Sequence, residues 1–213
     1  MNAAGARSAS ATRCRSIDFP LPLFPVFERL QHLVKQQLAT HFPEATFLAP
    51  HSWPNPDPGH LQVKLPYSCN SGRWPRKFYE LRLRQSPDFV AAAAVPAQAR
   101  AHVAHVGCWA FDGAEQVAMT DFWVLALGDL AQPLQYVVLP SPRLRYLLHR
   151  APDAGQLCLY FTPGGRCFAQ PPSPADLSSW QTVYPPHLST SEMELTPYLG
   201  AWHQLELDEG SGW

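Results

Sequence analysis

The sequence predicts an α/β fold in which a central mixed β-sheet is flanked by helices, and three observations lead to this prediction. Apolar residues recur at steps of three and four between residues 24 and 42, which is the spacing of one helix face. The segments 60–65 and 78–83 alternate polar and apolar residues, as half-buried strands do. The runs 122–127 and 134–139 are continuously apolar, which is typical of strands buried on both faces.

The first helix is predicted over residues 24–42. Pro25 suits its first turn and Pro43 ends it, because a proline cannot donate the backbone hydrogen bond that a helix interior requires. Glu28 lies one residue away from the apolar stripe. The stripe itself consists of Phe27, Leu30, Val34, Leu38 and Phe42.

The first strands follow this helix. A short strand is predicted at 45–49, and a proline-rich loop then leads to the alternating strand at 60–65. A polar connection at 67–77 precedes the strand at 78–83, whose odd-numbered residues are the apolar ones. Residues 88–105 are rich in alanine and valine, and their pattern is ambiguous between helix and strand.

The second half of the chain contains fewer regular signals. A turn is predicted at 128–133 between the two apolar strands, and Ser141 and Pro142 suit the cap and first turn of a second helix predicted over about 142–150. Residues 151–195 are rich in proline, glycine and serine and are predicted to be loop. A closing segment runs from 195 to 207.

Length and composition indicate one globular domain. The chain has 213 residues, of which 46% are hydrophobic and 15% charged. We expect a disordered tail over 1–20, one α/β domain over 21–207 and a short tail over 208–213. No apolar run approaches the roughly 18 residues that a membrane helix needs. The five cysteines include no CxxC pair, which favours reduced thiols in a cytoplasmic protein.

Net charge is −1, so the chain as a whole gives no signal for nucleic acid binding. A local cluster of cations around Trp74 and Tyr79 nevertheless predicts contacts with nucleic-acid phosphates. The alternative is an ordinary solvated hairpin face. The cluster consists of Arg73, Arg76, Lys77, Arg82 and Arg84.

A candidate for metal-assisted phosphodiester hydrolysis lies in the run PDPGHLQVKL. Asp57 and Gln62 offer oxygen ligands of the kind that Mg²⁺ prefers, and Mn²⁺ is its usual substitute. Lys64 follows Gln62 by two residues, so a strand directs both side chains to the same face. An ammonium group there can orient the attacking water or stabilise developing negative charge.

The segment Gln62–Lys64 resembles the second half of the PD-(D/E)xK motif of the nuclease superfamily of that name, in its glutamine variant. The order of further segments is similar to that of a branch of small bacterial endonuclease-like proteins. These segments are Trp74 before the strand at 78–83, the Asp-Phe start at Asp121, the VVLPS step ending at Ser141, and Tyr198 with Trp202. The resemblance covers roughly residues 26–207.

The resemblance implies a restriction-endonuclease-like fold and a metal-dependent DNA endonuclease. It gives Asp57 and Gln62 as metal ligands, Lys64 as a catalytic residue and Glu28 as a further ligand from the first helix. Such a family usually carries its acidic ligand on a strand well upstream, whereas Asp57 lies five residues before Gln62. Glu44 is the other upstream acid, and which acid serves the metal stays open.

Three alternatives accompany this prediction. The chain is alternatively a catalytically inactive nuclease-fold subunit that binds protein or nucleic acid within a larger complex. Glu80-Leu81-Arg82 is a second, weaker match to the motif, because an arginine cannot act as a base. His102, His105 and Cys108 have helical spacing for one metal ion, although ordinary surface or core histidines are favoured.

Overall fold

The computed structural model describes eight stretches of the chain, and the fold is built from these. They are residues 23–48, 59–65, 78–88, 103–111, 120–129, 132–150, 155–170 and 193–205. Side chains at 23–26, at 132–134 and at 170 are not described. The predicted tails and the proline-rich loop at 51–58 lie outside these residues.

The predicted helices are confirmed. Helix α1 spans Leu23–His41, and helix α2 spans Ser141–Arg150. Leu30, Val34 and Leu38 are fully buried, so the apolar stripe of α1 is its packing face.

Five strands form a mixed sheet among the described residues, as the sequence predicts. They lie side by side in chain order: β1 (Thr46–Leu48), β2 (His60–Lys64), β3 (Phe78–Ser86), β5 (Phe122–Asp129) and β6 (Gln132–Pro140). Strands β1, β2 and β3 are antiparallel neighbours, β5 runs parallel to β3, and β6 is antiparallel to β5. The parallel step requires the chain to cross over between β3 and β5.

Side-chain alternation divides this sheet between two cores. The first core lies under α1 and contains Leu61, Val63, Leu81 and Val124 from one face of the sheet. The second core lies on the other face and contains the neighbouring residues of β5 and β6, packed against α2. Its sheet residues are Trp123, Leu125, Leu127, Val137 and Leu139. Both faces of β5 are therefore buried, which explains its continuous apolar sequence.

A second sheet of three strands lies among the described residues, and the sequence predicted none of the three. Strand β4 (His105–Ala110) pairs with β7 (Gln156–Phe161), which pairs with β8 (Cys167–Gln170), all antiparallel. The loop prediction for 151–195 is wrong for β7 and β8. Their glycine- and proline-rich surroundings obscure the strands, and their partner β4 is remote in sequence.

The second core joins this small sheet to the five-stranded one. Trp109, Leu157, Leu159 and Phe161 point into it beside the ring of Trp123. Polar contacts tie the same elements together: Cys108 donates its backbone N–H to Ser86 Oγ at 2.8 Å. The large sheet therefore has α1 on one face and α2 with the small sheet on part of the other.

The closing segment folds back onto both sheets as two short 3₁₀ helices, Thr196–Tyr198 and Trp202–Leu205. Trp202 is buried in the first core and its ring lies 5.7 Å from that of Tyr136. Gly200 N donates to Tyr136 O at 2.9 Å, which anchors the segment on β6.

No helix in the described part of the chain combines the length and apolar character needed to cross a bilayer.

Candidate functional site

The half of the sheet formed by β2 and β3 carries polar side chains on the face opposite to α1. Leu61 and Val63 point into the first core, so Gln62 and Lys64, which alternate with them, point to the opposite face. This face of β2 and β3 is called the open half. The alternating burial of β3 places Glu80, Arg82 and Arg84 on the same face. The structure thus brings two predicted site residues of β2 together with two predicted cations of β3.

Gln62 and Glu80 form the centre of the open half. They are direct partners in the antiparallel β2–β3 pair, and Gln62 Nε2 donates to Glu80 Oε1 at 3.1 Å. The Gln62 side chain is therefore held by a carboxylate. That carboxylate belongs to Glu80-Leu81-Arg82, the weaker of the two matches to the nuclease motif. The two matches are one cluster in three dimensions, because strand pairing sets them side by side.

His60 extends this cluster from the start of β2. Its Nε2 lies 3.4 Å from the other carboxylate oxygen of Glu80, and the residue is only 9% exposed. The two groups are not aligned for a hydrogen bond, and this nitrogen has no hydrogen-bond partner among the described residues. The sequence gives no sign of this contact, because His60 looks like an ordinary strand residue.

Asp121 holds the backbone of Glu80. Its Oδ2 accepts the Glu80 N–H at 2.8 Å, and its own N–H donates to Glu80 O at 2.9 Å. Its carbonyl accepts the N–H of Ser141 at 2.9 Å. The Asp-Phe start of β5 therefore fixes β3, β5 and the beginning of α2 relative to one another.

Lys64 lies at the exposed end of β2. Its neighbours in the sheet are Thr46 and Phe78, and its Nζ lies 5.9 Å from the centre of the Phe78 ring. Phe78 is 49% exposed and is the only large apolar side chain so exposed in the described stretches. No carboxylate of the described residues lies within ion-pair distance of Lys64.

The two arginines lie towards the other end of β3. Arg82 is the direct partner of His60, and the guanidinium of Arg84 lies 5.9 Å from the ring centre of Trp123. Both are half-buried, and the contact with Trp123 places the Arg84 charge at the border of the second core. The open half therefore carries three cations and one carboxylate among its described strand positions.

The predicted metal ligand on the first helix is not brought to this face. Glu28 is exposed on α1, which covers the opposite face of the sheet. Asp57, Arg73, Arg76 and Lys77 lie outside the described residues.

The helical spacing of His105 and Cys108 does not create a metal site. Both residues lie on strand β4, where a separation of three places them on opposite faces. His105 Nδ1 instead lies 2.8 Å from Asp88 Oδ2, and Asp88 Oδ1 accepts the N–H of Val106. His102 lies outside the described residues.

The described residues of the open half do not fit a magnesium site. Mg²⁺ is held octahedrally by one or two carboxylates and several waters, whereas the one described carboxylate of this face, Glu80, is engaged by Gln62 and His60. Within the described stretches, no group of three or more histidine, cysteine or acidic residues is placed to hold a metal ion. Asp57 or another acid outside the described residues would have to complete such a site.

Comparison of the chain with models of known protein families, with curated proteins and with solved structures finds no match.

Proposed function

We propose that this chain is a nuclease-like α/β domain that binds DNA through the open half of its five-stranded sheet without cleaving it. The restriction-endonuclease-like architecture is part of this proposal. A mixed sheet with a helix on each face supports it. The observation that carries the proposal is the exposed pair of Lys64 and Phe78 at one end of this face.

The chemistry of this pair suits a nucleic-acid strand. An exposed aromatic ring stacks on a base of any sequence, and an adjacent ammonium group neutralises a phosphate. Residues 65–77 join the end of β2 to the start of β3, so the predicted cations Arg73, Arg76 and Lys77 belong to the connection between Lys64 and Phe78. Arg82 and Arg84 continue the positive charge along β3.

The surroundings of Lys64 favour binding over hydrolysis. A hydrolytic lysine acts beside carboxylate-bound metal, whereas the described neighbours of Lys64 are a threonine and a phenylalanine. Glu80, the carboxylate on this face, is engaged by Gln62 and His60. This network gives β2 and β3 a fixed register and leaves Lys64 available to a phosphate.

Binding is tested by fluorescence anisotropy with labelled single- and double-stranded DNA. Phe78→Ala removes a stacking platform worth about 1–3 kcal/mol, so we expect roughly tenfold weaker binding. Lys64→Ala removes one phosphate contact and is expected to lower the slope of log affinity against log salt by about 1.

The chain supplies a matched control for these variants. Lys35 Nζ lies 5.8 Å from the Phe47 ring on the α1 side of the sheet, so Lys35→Ala removes an equivalent cation from the other face. We expect this variant to bind DNA as the unmodified chain does. Equal weakening by Lys35→Ala and Lys64→Ala would reject the open half as the binding surface.

A metal-dependent endonuclease is the second candidate, and the position of Gln62 beside Glu80 on one face of the sheet favours it. The two side chains place an amide oxygen and a carboxylate on the same face as Lys64. Plasmid DNA is incubated with the protein and Mg²⁺ or Mn²⁺, beside Lys64→Ala and Glu80→Gln. Cleavage that both substitutions abolish would establish the endonuclease in place of the binding domain.

The same protein preparation tests the third hypothesis, a subunit that binds protein. A chain that binds neither form of DNA at low salt, yet co-purifies stoichiometrically with another protein, would be a protein-binding subunit of a larger complex.

A further inference from the structure

Two cysteines face each other across strands β4 and β7. Cys108 and Cys158 are direct partners in this antiparallel pair. Trp109 after Cys108, and Leu157 and Leu159 on either side of Cys158, belong to the second core, so both thiols point to the opposite face of the small sheet. Neither is in a disulfide in the structure.

The hydrogen bonding of β4 shows that Cys108 and Cys158 form a non-hydrogen-bonded pair of the antiparallel ladder. Cys108 donates its backbone N–H to Ser86 Oγ on the large sheet, at 2.8 Å, and therefore not to Cys158. Directly opposite residues that exchange no backbone hydrogen bonds have Cα atoms about 4.5 Å apart. A disulfide spans Cα separations of about 4.4–6.8 Å, so this pair can be bridged without moving the strands.

The exposure of the two thiols differs in a way that suits stepwise oxidation. Cys108 is half-buried and reachable from solvent, whereas Cys158 is 7% exposed. A reagent in solution therefore meets Cys108 first, and Cys158 is the neighbouring thiol that can resolve the product.

We propose that Cys108 and Cys158 are a redox modification site that a low-molecular-weight disulfide oxidises to a cross-strand disulfide. The Cys108 thiolate attacks one sulfur of the reagent, whose S–S bond breaks, and the first small thiolate leaves and takes a proton. The Cys158 thiolate then attacks Cys108 Sγ in the mixed disulfide, and the second small thiolate leaves. The protein loses two electrons and two protons, and the reagent is reduced to two thiols.

The third described cysteine does not take part in this chemistry. Cys167 on β8 lies opposite Phe161 and is buried in the second core. Burial raises the pKa of its thiol far above the ordinary value, so little thiolate forms at neutral pH. Cys167→Ala is therefore the matched control.

The cross-link would act on the centre of the molecule. The loop that the cross-link closes contains β5, β6 and α2. The cross-link itself lies beside the hydrogen bond from Cys108 to Ser86 that joins the two sheets. Oxidation should therefore stabilise the small sheet against unfolding, because the unfolded chain loses conformational freedom.

Trypsin makes this pairing directly measurable, because it places each of the five cysteines on a separate peptide. Cys108 lies on residues 101–143, Cys158 on 151–166 and Cys167 on 167–213. The folded full chain is treated with oxidised glutathione, remaining thiols are blocked with N-ethylmaleimide, and the digest is analysed by mass spectrometry. We expect a species linking 101–143 to 151–166 that dithiothreitol removes.

Two variants test whether Cys108 reacts with glutathione before Cys158 attacks the mixed disulfide. Cys167→Ala should retain the linked species, and Cys158→Ser should accumulate glutathione on Cys108. Recovery of 101–143 and 151–166 only as singly blocked peptides from the oxidised unmodified chain would overturn the proposal. Predominant linkage of Cys108 to any other cysteine would overturn it as well, and neither result depends on the folding of a variant.

Discussion

At the scale of single residues, Glu80 connects the candidate site to the scaffold. Its carboxylate contacts Gln62 and His60 on β2, and its backbone N–H and C=O both form hydrogen bonds with Asp121, which directly precedes β5. Hydrogen bonds to a charged group are stronger than those between neutral groups. One residue therefore fixes the spacing of three strands beneath the proposed DNA-binding face.

The packing of the two sheets leaves no space for a side chain at Gly107. A Cβ atom there would lie 2.4 Å from Trp109 Cη2 and 2.7 Å from Leu127 Cδ1, both in the buried second core. Gly107→Ala is expected to destabilise the fold by about 1–3 kcal/mol, since buried neighbours have no room to move aside. Urea unfolding followed by circular dichroism measures this loss.

Gly164 supplies the comparison for that substitution. A Cβ atom at Gly164 meets only Thr162 Oγ1 at 3.8 Å, so Gly164→Ala should be nearly neutral. Similar stability of the two variants would contradict the close approach of β4 to β5.

At the scale of elements, the closing segment is attached to β8 by backbone hydrogen bonds and by a polar cluster around Glu194. Arg166 donates to both carboxylate oxygens of Glu194 at 3.0 and 2.9 Å, and Thr196 Oγ1 donates to Glu194 Oε1 at 2.9 Å. The hydrogen bond from the Arg166 guanidinium, followed by that from Thr196, lowers the pKa of the Glu194 carboxyl below its ordinary value of 4.5. The cluster thus stabilises the docked segment in its ionised form.

The pH dependence of this cluster follows from the direction of the shift. Because the pKa is lower in the folded state, the stabilisation is present above the ordinary value and is lost as the pH falls through the folded-state pKa. Glu194→Gln should therefore cost about 0.5–1 kcal/mol at pH 7, as expected for a largely exposed ion pair. Urea unfolding at pH 7 and at pH 3 should show this difference shrinking in acid.

Glu28→Gln is the control for Glu194→Gln, since Glu28 is an exposed glutamate on α1. It should leave stability unchanged at both pH values. A Glu194→Gln effect of the same size at pH 3 as at pH 7 would show that the carboxylate charge is not its source.

At the scale of the whole molecule, the two cores share one sheet. Phe122, Val124 and Ala126 of β5 belong to the first core, while Trp123, Leu125 and Leu127 of the same strand belong to the second. Neither core can lose its packing without removing support from the other face of β5.

The described elements should therefore unfold together. Trp202 lies in the first core, whereas Trp109 and Trp123 lie in the second. We expect tryptophan fluorescence and far-ultraviolet circular dichroism to give the same urea midpoint. Two separated transitions would contradict the shared sheet as the unit of cooperativity.

The sequence by itself determined the elements whose signal is local. The steps of three and four in α1, the alternation in β2 and β3, and the apolar runs of β5 and β6 each correspond to an observed element. It also determined that Gln62 and Lys64 share a face, because the period of a strand is fixed by backbone geometry.

Only the tertiary structure decided which residues meet. Gln62 reaches Glu80, 18 residues away, and Cys108 faces Cys158 on a strand that the sequence did not predict. Lys64 lies beside Phe78, although its sequence motif associates it with a metal-bound carboxylate. The alternation of side chains along a strand determines the face on which each side chain lies. The pairing of remote strands determines its neighbours on that face, and this pairing depends on how the whole chain buries its apolar surface.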